Sequence, residues 1–127
     1  MIVLDASVVI AHFDASDAHH GTALDLLDAC AAEGFVMSPV TMAAVLVGPA
    51  RSGRLDEAIE ALAALGVTTV ALDDGAPAQL ARLRAATQLK LPDCCVILAA
   101  ESVDSRLATF DDRLGSVAEG RGITVRR

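Results

Sequence analysis

Met1-Ile-Val-Leu-Asp5-Ala-Ser7-Val-Val-Ile10 is the stretch on which the reading of this chain turns. Residues 2–4 are a short apolar run stopped by Asp5, and residues 6–13 follow with helix-compatible spacing, so the chain opens as strand, turn and helix. An aspartate at the exit of a first strand stands where open α/β sheets hold their ligands, beyond the carboxyl ends of the strands at the point where strand order reverses.

The alternation continues outward from this opening. Leu24, Leu27 and Ala31 form a helical stripe that ends at Gly34, and residues 35–37 read as a second strand. Ser38 followed by Pro39 is an N-cap with a first-turn proline, opening a helix through Thr41, Ala44 and Val47. A further amphipathic helix from about residue 55 to 65, with Ile59 and Leu62 inward, is followed by Gly66 and a third strand at 68–72. Residues 78–87 are helical, with Leu80 and Leu83 on one face and Arg82 and Arg84 off it. Pro92 opens a helix to about residue 103, residues 106–108 are a short strand, a helix follows to about 119, and residues 123–125 close as a last strand. Strands separated by single or paired helices predict an α/β domain with a mostly parallel sheet, since parallel neighbours need such crossovers.

The 127 residues are enough for one core and are expected to form a single domain, 1–127. Hydrophobic residues make up 54% and charged residues 21%, a composition that excludes a disordered tail. Met1 runs directly into an apolar strand without a basic segment or small-residue cleavage pattern, and no apolar run approaches the ~18 residues of a membrane span, so a soluble, cytoplasmic protein is expected. Cys30, Cys94 and Cys95 suit neither a disulfide framework nor a CxxC motif; they read as small core residues in a reducing compartment.

A formal net charge of -7 excludes a general duplex-binding protein, which needs clustered Lys and Arg against phosphates. An RNA enzyme remains compatible if carboxylates hold cations at its centre and a few basic side chains grip flanking phosphates. Stacking platforms are nearly absent: Phe13, Phe35 and Phe110 are the only aromatic residues, each within an apolar stretch.

Three aspartates carry the chemistry. Asp5 follows the first strand, Asp111 follows a late strand, and Asp93 stands at a helix start. If the two strands are neighbours at the reversal, Asp5 and Asp111 face each other; carboxylates some 4 Å apart repel by roughly 4 kcal/mol at an effective dielectric of 20, and a cluster of them shares protons or holds a cation. Magnesium or manganese is the natural occupant of an all-oxygen site. Each acid also has an ordinary explanation, with Asp93 complementing a helix dipole and Asp111 or Asp112 capping the last helix.

Together with the opening segment, Leu91-Pro-Asp93-Cys-Cys-Val-Ile-Leu-Ala-Ala100 and Leu107-Ala-Thr109-Phe-Asp111-Asp112 resemble the conserved stretches of PIN domains, most nearly the VapC toxins of VapBC toxin-antitoxin pairs, and the spacing across the whole chain is similar. That resemblance implies a five-stranded parallel sheet of order 3-2-1-4-5, a magnesium-dependent endoribonuclease acting on RNA, a VapB-type antitoxin that covers the site, and a homodimer. Carried over by residue, it makes Asp5, Asp93 and Asp111 metal-binding acids, Ser7 and Thr109 supporting hydroxyls, and Asp112 an accessory acid. It also exposes one departure: the family's T-x-x-E pattern is Thr41-Met-Ala-Ala44 here, with alanine in the glutamate position, while Val45-Leu-Val-Gly-Pro-Ala-Arg51 continues the family pattern. Ala44 is either a replacement of the kind made to silence a toxic nuclease or a natural weakening, and both imply an impaired enzyme.

Arg51, Arg54, Lys90 and Arg113 are candidates to position phosphates or are ordinary surface charges. His12, His19 and His20 lack ligand spacing to any cysteine, and His19 and His20 read as a solvated helix end outside the mechanism. A silent PIN-fold module that binds RNA or antitoxin without cutting is the competing reading. A phosphotransfer protein is disfavoured because Ser7 stands where haloacid-type phosphatases need a second aspartate, and a Rossmann domain because no G-x-G-x-x-G follows the first strand.

Overall fold

A computed structural model describes residues 1–127. The strands are β1 (Ile2–Leu4), β2 (Phe35–Met37), β3 (Val67–Thr69), β4 (Arg106–Ala108) and β5 (Val125–Arg126), all parallel, in the order β3-β2-β1-β4-β5. The helices are α1 (Ala6–Phe13), α2 (His20–Cys30), α3 (Pro39–Arg51), α4 (Leu55–Ala64), α5 (Ala76–Thr87), α6 (Leu91–Ser102) and α7 (Asp112–Gly120). The predicted fold class and strand order are therefore those observed.

The two-residue period of the strands sorts the core into two layers. Ile2, Leu4, Phe35, Met37 and Ala108 point to a cluster with Val8, Val9, Leu26, Leu27 and Leu62, while Val3, Val36 and Leu107 point to the other side with Leu83, Cys94, Ile97 and Leu114. β1 is the centre: Ile2 aligns with both Phe35 and Arg106, and Leu4 with Ala108. Strand order reverses here, so the carboxyl ends of β1 and β4 open side by side.

Four details differ from the sequence reading. Strand β3 ends at Thr69 because β2, its only partner, offers three residues, Phe35 to Met37, opposite Val67 to Thr69; Leu72 lies beyond at 40% exposure. The last strand begins at Val125, since Ile123 is drawn down into the core by a bond from its N–H to the Ala118 carbonyl, 2.9 Å. In α2 the buried face is Ala23, Leu26, Leu27 and Cys30, a full i, i+3, i+4, i+7 stripe, and Leu24 faces water. In α4 only Leu62 is buried, and Ile59 is 47% exposed.

Helix α3 starts where predicted: Ser38 is its N-cap, with Oγ accepting from the Val40 N–H at 3.3 Å, and Pro39 fills the first turn. It runs on through Pro49 to Arg51, later than its motif required. No helix is long and apolar enough to cross a membrane.

Candidate functional site

Asp5 leaves β1 and Thr109 leaves β4 at the same edge of the sheet, and the two meet across a sequence separation of 104: Thr109 Oγ1 donates to Asp5 Oδ2 at 2.8 Å. Ser7, in the first turn of α1, donates to the same oxygen at 2.7 Å. Each hydroxyl carries one proton, directed at Asp5, and accepts in turn from a backbone N–H: Ser7 Oγ from Phe110 at 3.1 Å, Thr109 Oγ1 from Asp111 at 3.0 Å. Asp5 is only 7% exposed and Thr109 not at all, so a carboxylate taken largely out of water is held in one orientation by two charge-assisted bonds. Its Oδ2 is saturated, which leaves Oδ1 for any further partner.

Asp93 comes from the first turn of α6, after the extended Lys90 and the helix-opening Leu91-Pro92. A carboxylate at that position is favoured by the helix dipole. Its pKa is nevertheless raised, first by burial and then by the negative charges of Asp5 and Asp111, with Lys90 and Arg113 acting the other way. Burial and repulsion from the other two acids together thus outweigh the two cations. No hydrogen bond contributes to holding the Asp93 charge.

Asp111 is the N-cap of α7, and its Oδ1 accepts from the Leu114 N–H at 3.0 Å. Capping is therefore one of its roles, and it has an electrostatic consequence. No three His, Cys, Asp or Glu side chains converge to ligate a single ion directly. Asp5, Asp93 and Asp111 interact as an electrostatic cluster, with Asp5 clamped by two hydroxyls, Asp111 bonded to its own helix and Asp93 without a hydrogen bond. Asp112 does not join them: its side chain is 98% exposed, with Arg127 Nε 4.0 Å away.

Among the four candidate cations, Lys90 and Arg113 lie close enough to act on Asp93. Arg54 is engaged by Glu57 at 3.0 Å, away from the acids, on the rim of a groove between α1, α3 and α4. Arg51 is exposed at the far end of α3, whose 13 residues carry the chain about 18 Å from the sheet edge at 1.5 Å per residue.

Ala44 is exposed on α3. Thr41, three residues earlier and on the same helix face, is buried, and its Oγ1 has no hydrogen-bond partner. Helical side chains lean toward the N-terminus, so a carboxylate at position 44 would reach back toward that hydroxyl. The starts of α3 and α6 touch where the Cys95 thiol meets Ser38.

The whole chain can now be set beside known proteins. It matches the PIN domain family over residues 2–120. The chain belongs to the PIN domain family. Among solved structures of this architecture, a toxin-antitoxin complex from Klebsiella pneumoniae is 18% identical with a TM-score of 0.75, covering 100% of this chain and 97% of that one. VapC20 of Mycobacterium tuberculosis, a sarcin-ricin-loop-cleaving toxin, is 18% identical with a TM-score of 0.74, covering 92% and 95%. VapBC-1 of nontypeable Haemophilus influenzae is 15% identical with a TM-score of 0.71, covering 99% and 97%. At these identities the likeness is one of PIN fold. No curated protein sequence matches the chain.

Sequence reasoning missed what the histidines of this PIN domain do. His20 Nδ1 is bonded to the Ala11 carbonyl at 2.7 Å and helps tie α2 to α1. His12 Nδ1 is buried without a partner, and burial, with the neighbouring His20, lowers its pKa. The His19 ring is exposed but stacks on Phe110, with centroids 4.7 Å apart and planes 19° from parallel. Phe110 is remote from His19 in sequence, and the Asp17 turn before His19 hinted only at a fixed backbone there.

The raised Asp93 pKa gives a signed prediction. The folded state holds the Asp93 proton more tightly than the unfolded chain, whose value is near 3.8, so metal-free stability falls as pH rises from 3.8 through the folded value and is flat above it. Asp93→Asn is expected to remove that component. Urea midpoints in chelator from acid to neutral pH should decline less with pH in the variant; parallel curves would show that neither burial nor the neighbouring acids oppose the Asp93 charge.

Proposed function

We propose that the chain is a metal-dependent endoribonuclease toxin of the VapC type, a single domain over residues 1–127 that hydrolyses RNA phosphodiester bonds, is restrained by a VapB-type antitoxin, and is weakened or silenced by Ala44. The observation that carries the reading is the buried, doubly clamped Asp5 beside an Asp93 whose ionisation its acidic neighbours oppose. Such a cluster costs stability on its own, and a hard divalent cation removes that cost.

The donor set suits magnesium or manganese: carboxylate oxygens only, with Asp5 Oδ1 left open by the two hydroxyls on Oδ2. Asp5 and Asp93 would hold the ion, with Asp111 reaching it directly or through water. When bound, the ion supplies Lewis acidity to the phosphate and an activated water. Ser7 and Thr109 keep Asp5 from rotating, and Lys90 and Arg113, already close to the acids, are placed to draw in flanking phosphates.

The groove between α1, α3 and α4 is the proposed antitoxin seat. It encloses about 560 Å³, with Ile10, Phe13, Val45 and Leu62 on its walls and Arg54 and Glu57 at its rim. Phe13 is 48% exposed, a large apolar surface suited to an amphipathic helix. Phe13→Asp is expected to weaken the complex more than tenfold, the order of losing one buried aromatic side chain from an interface. Co-expression with the neighbouring gene product and titration of the purified pair read this out; equal affinity in both forms would remove the groove from the proposal. A homodimer in the cytoplasm is the proposed working state.

A second reading, a PIN module that binds RNA or antitoxin without cutting, is favoured by one observation, alanine at position 44. Turnover separates the two: structured RNA with magnesium or manganese, incubated with this chain and with its Ala44→Glu form.

A further inference from the structure

We propose that His19, backed by Phe110, is the platform on which a nucleobase of the RNA stacks beside the acidic site. This rests on the ribonuclease reading above and adds a residue that positions substrate. The chain has no Trp or Tyr, its exposed Phe13 lies in the groove between α1, α3 and α4, and its net charge is -7, so little affinity for a single strand comes from those sources. An imidazole ring offers a flat π face of its own, and the fold presents one.

Phe110 lies between Thr109 and Asp111, and its N–H donates to Ser7 Oγ, the same hydroxyl that clamps Asp5. The Phe110 backbone is therefore fixed to the site's own hydrogen-bond network, and the phenyl ring is carried from that point. It packs inward against the core layer that contains Val8 and Leu27. His19 lies over it, nearly parallel, and is exposed. The other two histidines are differently engaged, His20 by the Ala11 carbonyl and His12 by burial and an edge contact with Phe13.

The segment carrying His19 is pinned. Asp14 Oδ1 accepts from the Ser16 N–H at 2.9 Å and the Ser16 hydroxyl at 2.6 Å, and Asp17 Oδ1 accepts from the His19 N–H at 2.8 Å. A ring held before substrate arrives avoids part of the ordering cost of binding. The outcome is a preorganised aromatic stack, rooted one residue from Thr109 and Asp111, with its outer face open. A nucleotide whose phosphate is drawn in through a cation held by Asp5 and Asp93 would lay its base on that face.

The test uses the chain as it stands, in manganese, with short single-stranded RNAs carrying 2-aminopurine at each position in turn. Quenching is expected at one position in the parent chain. It should vanish in His19→Ala, with binding weaker by on the order of tenfold, as for loss of one stacked base, and persist in His19→Phe, which keeps the ring face and loses the nitrogens. In the Ala44→Glu background, His19→Ala should raise KM more than it lowers kcat. Melting temperatures of the variants verify folding. Unchanged RNA affinity in His19→Ala overturns the platform, and equal losses in His19→Ala and His19→Phe overturn it in favour of a contact through the ring nitrogens. A parent chain that binds manganese but no RNA overturns the ribonuclease reading and the platform with it, a result distinct from RNA binding that His19 does not influence.

Discussion

Ala44→Glu is expected to raise RNA cleavage by this chain at least about a hundredfold, the scale on which misplacing one group in a hydrolytic centre acts. The position is open to water on a helix whose start touches that of α6, so a glutamate there has room. Its carboxylate would supply a ligand, or an acceptor for the ion's water, that the chain otherwise lacks, while giving the buried Thr41 hydroxyl a partner. The gain should come with little change in fold. Alanine and glutamate are both good helix formers, and a fourth carboxylate near Asp93 adds repulsion to metal-free protein, so the melting temperature should stay level or drop slightly without metal. Cleavage of structured RNA and thermal melting, measured together on both forms with magnesium or manganese, decide the matter. A glutamate form inactive on every RNA tried would make the binding-module reading the better one.

Asp5→Asn is expected to abolish manganese binding, with a loss of affinity beyond a hundredfold, while the domain stays folded. The geometry explains both halves. An asparagine can turn its one carbonyl oxygen toward Ser7 and Thr109 and preserve their two donated bonds, but its amide then presents N–H groups where the open carboxylate oxygen had been. A cation is repelled by donors, and the amide carries no charge to hold it. Removing one negative charge also relieves Asp93, which offsets part of the weakened clamp. Calorimetric titration with manganese reads the binding and thermal melting the fold. Equal affinity in the two proteins would remove Asp5 from any metal site.

Much of this was legible in the sequence because it is governed by local rules. Ser38-Pro39 and Leu91-Pro92 fixed the starts of α3 and α6, and the short apolar runs at residues 2–4 and 35–37 read as strands buried on both sides. What depended on partners was not legible. Residues 68–72 pattern well as a strand, yet pairing stops where β2 stops. Ile59 has the spacing of an inward residue on α4, but nothing packs over it, and it stays exposed beside the groove residues Glu57 and Ala58. At the site, residue types and strand exits revealed the acids, whereas the hydroxyl clamp on Asp5 and the capping bond to Asp111 are matters of side-chain geometry. The stack of His19 on Phe110 depends on how a six-residue turn, 14–19, folds back, and no periodicity encodes it.

The central place of β1 has a consequence in time. The first strand to be synthesised is bordered on one side by β2 and on the other by β4, which is not made until more than a hundred residues have followed Asp5. Closing a loop of that length is slow compared with forming local helices. Throughout that interval Asp5 has Ser7 but no Thr109, and Asp111 does not yet exist. A nascent chain thus carries the residues of α1, α3 and α4, which line the groove, before it carries Thr109 and Asp111. On the function proposed above, a restraining partner able to engage that segment early would meet the polypeptide before its acidic site is complete, so that order of synthesis itself would favour restraint over chemistry.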